Sequence, residues 1–191
     1  PELTSPQVNY TDRDSHFIFG DVATAVVMEA GEGADAEHVY EVRGTRAVTQ
    51  YSNNIRSNFG YVSRAEGGDP FDNDRLFHQN GRKVFKEVCP MAAEHLQQQI
   101  QSVGLEVSGI RRWWLHQANL NMNLLIAKRL LGGDASNDLA PIVLDQYANT
   151  ASAGSIIAFA QHHEDLVSGD HGVICSFGAG YSIGSLLIQK R

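Results

Sequence analysis

Trp113-Trp114-Leu115-His116-Gln117-Ala118-Asn119-Leu120 is a hydrophobic run that ends in a histidine, an amide and a small residue. A strongly apolar segment, Leu120 to Leu131, follows at once. The pattern predicts a buried strand that delivers His116 to its C-terminal end, a short turn, and a helix closed by Gly132-Gly133. In open α/β sheets, ligands bind in the crevice beyond the carboxyl ends of the strands. His116 therefore has two readings: a donor or base facing a pocket, or a core histidine satisfied by a backbone carbonyl.

The setting is that of one ordinary globular unit. The chain has 191 residues, 42% of them hydrophobic, enough to bury a core. No apolar run reaches the roughly 18 residues that a membrane span needs. The start, Pro1 to Pro6, lacks the basic-then-apolar pattern of a secretory signal. Cys89 and Cys175 are the only cysteines and have no CxxC spacing, so no disulfide or metal framework is expected and a reducing cytoplasm is the default. A net charge of −7 argues against a nucleic-acid footprint, and an acidic partner would need a local basic patch.

Outward from the central stretch, the chain alternates helical and strand-like patterns. Residues up to Asp14 suggest an extended, surface-lying start. Ala23 to Glu29 suggests a buried strand, and Val39 to Thr45 a second strand antiparallel to it. Thr49 to Asn80 is polar with scattered aromatics (Tyr51, Phe59, Tyr61, Phe71, Phe77), either an excursion over a pocket or plain surface packing. Gly81 to Gly104 predicts a long helix with Val84, Phe85, Val88, Met91, Ala92, His95, Leu96 and Ile100 on one face. Pro90 inside it predicts a kink or break, at a cost of about 3 kcal/mol. Ser152 is the expected N-cap of a helix carrying Ile156, Ile157, Phe159 and Leu166 and ended by Gly169. Two strands, Gly172 to Phe177 and Ile183 to Ile188, close the chain around a Gly-rich bend. Helices alternating with strands give an α/β layered fold.

Two further stretches carry chemistry. Tyr147-Ala148-Asn149-Thr150-Ala151-Ser152-Ala153-Gly154-Ser155 sets an amide before small, hydroxylated residues that open a helix, and Ser176-Phe177-Gly178-Ala179-Gly180-Tyr181 is the Gly-rich bend. With the His116 stretch, in this order and spacing, they resemble the C-terminal half of the β-ketoacyl-acyl-carrier-protein synthase III family, of thiolase-like fold. The likeness runs from Phe19-Gly20-Asp21 to the C-terminus. It implies three parts: the end of an N-terminal thiolase-like half over 1–47, a loop or cap over 48–80, and the C-terminal half, a mixed sheet with helices on its faces, over 81–191.

A condensing enzyme of this kind joins an acyl thioester to the carbanion left when a malonyl thioester loses CO2. Directed neutral donors suit the enolate oxygen, and one such donor is typically worth about 3–4 kcal/mol in the barrier. The resemblance makes His116 and Asn149 those donors. It places the backbone N–H of Ala179, next to Gly178, in a second oxyanion hole for the acyl carbonyl, whereas the bend taken alone reads as a tight hairpin. Phe85, Lys86, Gln117, Asn119, Lys128, Arg129 and Phe177 become candidate substrate or carrier-protein contacts. Arg82, Lys83, Arg111 and Arg112 add to the basic field. The substrates implied are acyl-CoA and a malonyl thioester, with no cofactor and no metal, and the partners are an acyl carrier protein and a second copy in a homodimer. Alternatives are a non-decarboxylative acyltransferase of the same fold and a non-catalytic partner subunit.

Three departures qualify the likeness. Ala179 stands where glycine is commoner, and Asn121 where the family often has arginine, which shifts weight from the carrier protein to CoA thioesters. The family's nucleophilic cysteine belongs to the N-terminal half, and neither Cys89, within a helix, nor Cys175, within a strand, has its setting. Both read as small buried hydrophobes. The chain alone is therefore expected to be inactive, the nucleophile lying in a missing half. His162-His163-Glu164-Asp165 is a weak metal motif, because on a helix only His162 and Asp165 share a face.

Overall fold

The computed structural model describes residues 1–30, 36–57, 69, 75–133 and 135–191. Its frame is a four-stranded sheet. Strand β1 (Tyr40–Ser52), β4 (Ile110–Leu115), β5 (His171–Gly178) and β6 (Gly180–Lys190) lie in the order β1-β6-β5-β4. β4 and β5 are parallel, while β5–β6 and β6–β1 are antiparallel. A small ladder joins β2 (Ile55–Arg56) to β3 (His78–Gln79). The helices are α1 (Gly81–Ser102), α2 (Leu120–Leu131), α3 (Leu144–Tyr147) and α4 (Ala153–Gln161).

Side-chain alternation along the central strands builds the layers. Trp113 and Leu115 of β4, with Val173, Cys175 and Phe177 of β5, face α1 and α2 in one core. Trp114 and Ile174, which point the other way, join Val143, Ile157, Ala158 and Leu166 beneath α4. Both tryptophans are essentially inaccessible, and burial of a large apolar side chain stabilises by about 1.5–3 kcal/mol. The sheet is thus covered on both faces, which is why the last three residues of β4, Trp113 to Leu115, are a continuous apolar run rather than an alternating one.

Several expectations are corrected. Ala23 to Glu29 is not a buried strand: only Val22, before it, makes an isolated bridge, to Glu2, and Val26, Val27 and Met28 are 56%, 92% and 74% exposed. Among the described residues these side chains have no apolar layer to enter. The strand expected at Val39–Thr45 is longer, crosses the boundary placed at 47/48, and pairs with β6 near the C-terminus rather than with the Ala23 run. Of the excursion expected over 48–80, residues 58–68 and 70–74 lie outside the described residues.

Helix α1 runs unbroken through Pro90. Buried side chains on both sides of the proline, Val84 and Val88 before it and Ala92, Leu96 and Ile100 after it, outweigh the one hydrogen bond lost. Helix α4 stops at Gln161, short of Leu166 and Gly169, because the His162 carbonyl is taken by Trp114 Nε1 at 3.0 Å and Arg112 at 2.7 Å. Ser152 occupies the N-cap position without capping; its hydroxyl bonds the Glu2 carboxylate instead. His162 to Asp165 is therefore not helical. Arg112 is 2% exposed and bonds Asp165 through both terminal nitrogens, with Asp138 also in contact, and Arg111 binds the same two carboxylates. Neither arginine can add to a free basic field. Among the described residues no cluster fits a metal ion, and no helix is long and apolar enough to cross a membrane.

Gly172 is the tightest point of the sheet. A Cβ there would sit 2.3 Å from the Trp114 ring. Gly172→Ala is expected to lower stability by about 1–3 kcal/mol through overpacking, read as a shift in the midpoint of urea unfolding.

Candidate active site

Strand β4 ends at Leu115, so His116 emerges at its carboxyl end, beside Phe177 at the end of the parallel neighbour β5. The two rings meet edge-on, 4.6 Å between centroids and 68° between planes. His116 is 6% exposed, and its Nδ1 is buried without a hydrogen-bond partner among the described residues. Burial pushes its pKa down to about 4, with hydrogen bonding to the Ala151 backbone acting in the opposite sense. The imidazole is therefore neutral at pH 7.

Asn149 arrives from a different direction. Its backbone is held by the N-terminal segment: its N–H donates to Ile18 O at 3.0 Å, and its carbonyl accepts from Gly20 N at 3.1 Å. Gly20 is required there, since a Cβ would come within 2.6 Å of Tyr147 O. The side-chain Oδ1 accepts from Ala151 N at 3.0 Å, which leaves the amide NH2 as the free donor end. Ala148 (φ 57°, ψ −159°) and Ala151 (φ 50°) flank it with positive φ, a conformation costing on the order of 1–3 kcal/mol per residue. Such strain persists where the surroundings over-determine the backbone, as the bonds to Ile18, Gly20 and Ala151 do here.

One cavity of about 680 Å3 gathers these groups. His116, Asn119, Asn149, Phe177, Gly178 and Ala179 all line it. The rest of its wall is mainly apolar, including Ile18, Phe19, Val84, Val88, Met122 and Ile183, with Tyr181 and Ser176 beside the bend. Sequence reasoning missed most of that wall. Val84 and Val88 were legible only as a helix face, and Met122 only as part of an apolar run.

Asn119 apart, the other candidates lie outside the cavity wall. Gln117 does not face the cavity. It is fully buried: its Nε2 donates to Leu115 O at 2.8 Å and Pro141 O at 3.3 Å, and its Oε1 accepts from Val143 N at 3.1 Å. Phe85 packs partly buried against the main core. Lys86 is exposed on α1, and Lys128 and Arg129 are exposed in the last turn of α2, where they also complement the helix dipole. Asn119 lines the cavity but also caps α2, accepting from Met122 N at 3.0 Å. Cys89 and Cys175 are buried free thiols, their pKa values pushed up by burial to about 11 and about 12, so both are protonated near neutral pH.

A mixed sheet covered by helices on both faces, with the histidine and the asparagine at the same cavity, defines a thiolase-like fold. The sequence profile for the C-terminal part of 3-oxoacyl-[acyl-carrier-protein] synthase III matches residues 100–190, and a second profile, for 3-oxoacyl-[acyl-carrier-protein] synthase III, matches residues 1–44. The chain belongs to the 3-oxoacyl-[acyl-carrier-protein] synthase III family. A β-ketodecanoyl-[acyl-carrier-protein] synthase of Pseudomonas aeruginosa is 53% identical over all of this chain and 55% of its own length. A β-ketoacyl-[acyl-carrier-protein] synthase III of Symbiobacterium thermophilum is 30% identical over 98% of this chain and 56% of its own. Among solved structures, 3-oxoacyl-(acyl carrier protein) synthase III from Pseudomonas aeruginosa superposes with a TM-score of 0.77 at 21% identity, over 97% of this chain and 55% of that one. The chain spans about half the length of the curated relatives it matches.

His95 shares the electrostatic condition of His116, burial pushing it too down to about 4. Between about 4 and the ordinary 6.5 the unfolded chain binds protons that the folded chain refuses. Stability is then fully present above 6.5 and falls as the pH drops toward 4, by roughly 3 kcal/mol for each histidine. Urea midpoints measured from pH 7.5 to 4 check this, and His95→Asn is expected to remove its share of the slope.

Proposed function

We propose that this chain is the enolate-stabilising half of a decarboxylating condensing enzyme that makes 3-oxoacyl thioesters. The observation that carries the reading is the convergence of a neutral, buried His116 and an Asn149 with its oxygen already engaged on one mainly apolar cavity. In the proposed reaction each side chain turns an N–H donor to the substrate, and neither adds a net charge that would have to be desolvated.

In the proposed reaction an acyl group is first carried as a thioester on a cysteine outside these residues. A malonyl thioester then loses CO2, and the electron pair moves into an enolate whose oxygen takes hydrogen bonds from His116 and Asn149. The carbanion attacks the acyl carbonyl, the charge passes to that oxygen near the Ala179 N–H, and the cysteine thiolate leaves. The product is a 3-oxoacyl thioester two carbons longer. The thioesters are the only small molecules the scheme uses. Asn121, exposed in the first turn of α2 where the family often has arginine, favours acyl-CoA as primer, and the exposed Lys86, Lys128 and Arg129 offer a modest surface to an acidic carrier protein. The apolar lining suits an aliphatic acyl chain, consistent with the name of the Pseudomonas aeruginosa β-ketodecanoyl relative. A homodimer in a reducing cytoplasm completes the proposal. The unpaired buried thiols support the compartment, and the exposed Val26, Val27 and Met28 supply apolar surface for assembly.

The test uses the full-length protein. His116→Ala and Asn149→Ala are each expected to slow malonyl-CoA decarboxylation by about 100- to 1000-fold while acyl loading from octanoyl-CoA persists. Decarboxylation that is unchanged in both variants would contradict the reading and favour a non-catalytic partner subunit.

A further inference from the structure

The bend that carries the Ala179 N–H is fixed more firmly than a hairpin needs. Gly178 pairs with Ser182, and Gly180 adopts φ +141°, where a Cβ would lie 2.6 Å from both Ser182 N and Ser182 Oγ. Ser182 Oγ meets Thr49 Oγ1 of β1 at 2.9 Å. Tyr181 comes next to the bend, lines the cavity and is 1% exposed. Its hydroxyl donates to Glu87 Oε2 of α1 at 2.7 Å. Asn54 Nδ2, from the segment after β1, donates to the same Glu87 oxygen at 3.1 Å and to the Tyr181 hydroxyl oxygen at 3.1 Å. Three side chains from three separate segments close a hydrogen-bonded ring with a charge-assisted bond in it.

A phenylalanine would fill the Tyr181 site equally well, so the hydroxyl and its carboxylate partner serve something other than packing. A backbone N–H stabilises an oxyanion only when it lies about 2.7–3.1 Å from it, so the placement of a two-residue neighbour matters. We propose that Tyr181, held by Glu87 and Asn54, is a positioning residue that sets the Ala179 N–H for acyl transfer. The inference rests on the function proposed above. In the step it serves, the cysteine thiolate adds to the acyl-CoA carbonyl, the oxygen carries the charge next to Ala179 N–H, and the CoA thiolate departs. His116 and Asn149 sit on other segments and share no hydrogen bond with the ring, so decarboxylation does not depend on it.

The two half-reactions separate this role from a structural clasp. In the full-length protein, acylation by octanoyl-CoA is followed by rapid quench and intact mass, and malonyl-CoA decarboxylation is followed with the nucleophile alkylated. Tyr181→Phe and Glu87→Ala are expected to slow acylation about tenfold and to leave decarboxylation within about twofold. Glu87→Gln, which keeps an acceptor, is expected to recover most of the acylation rate. Equal loss in both steps would overturn the inference in favour of a plain structural clasp, and so would no loss in either. A wild-type protein that performs neither step would defeat the functional reading and this inference with it, and that outcome is distinguishable because it appears before any substitution.

Discussion

The arrangement depends on the buried amide of Gln117. Its NH2 ties the end of β4 to the Pro141 carbonyl, and its oxygen holds the Val143 N–H. One side chain thereby joins the strand that leads to His116 to the segment that leads into Asn149. Gly154 completes the joint: a Cβ there would sit 2.9 Å from Gln117 Cβ, so the start of α4 closes down directly on it. A buried amide satisfied at both ends rigidifies its neighbours, whereas one left unsatisfied costs about 1–3 kcal/mol per group. The relative position of the two candidate catalytic side chains thus depends on a residue that does not line the cavity, together with the N-terminal segment that holds Asn149.

Electrostatics follow from burial. His116 is 6% exposed, and that burial keeps its imidazole uncharged. Burial elsewhere in the core silences the thiols. Cys89 and Cys175 are held protonated by burial and carry no nearby cation strong enough to reverse it. On the proposed function, His116 and Asn149 are the donors for a charged intermediate, and neither cysteine of this chain is a ready thiolate.

Local signals carried much of this into the sequence. The β4 run, the Asn119 cap and the left-handed Gly132 are all set by neighbours within a few residues, and they were legible for that reason. So was the closing β5–β6 hairpin. What failed was decided at a distance. The partners of Gln117 lie 24 and 26 residues away, so the amide looked like a ligand contact. β1 pairs with β6 across most of the chain, so its true length and neighbour could not be read from its own alternation. Helix α4 ends early because Arg112 and Trp114, roughly 50 residues upstream, claim the His162 carbonyl. The apolar composition of Ala23 to Met28 promised burial that no described layer provides. The Tyr181–Glu87–Asn54 ring had no sequence signature at all, since its members come from three distant segments.

The central claim is a division of labour: this chain supplies the hydrogen-bond donors, and the covalent step occurs on a thiol elsewhere in the protein. Peptide mapping of the full-length protein after incubation with octanoyl-CoA tests it most directly. The account predicts a single hydroxylamine-sensitive acyl group on a cysteine outside these 191 residues. An acyl group on the peptide containing Cys89 or Cys175 would contradict it.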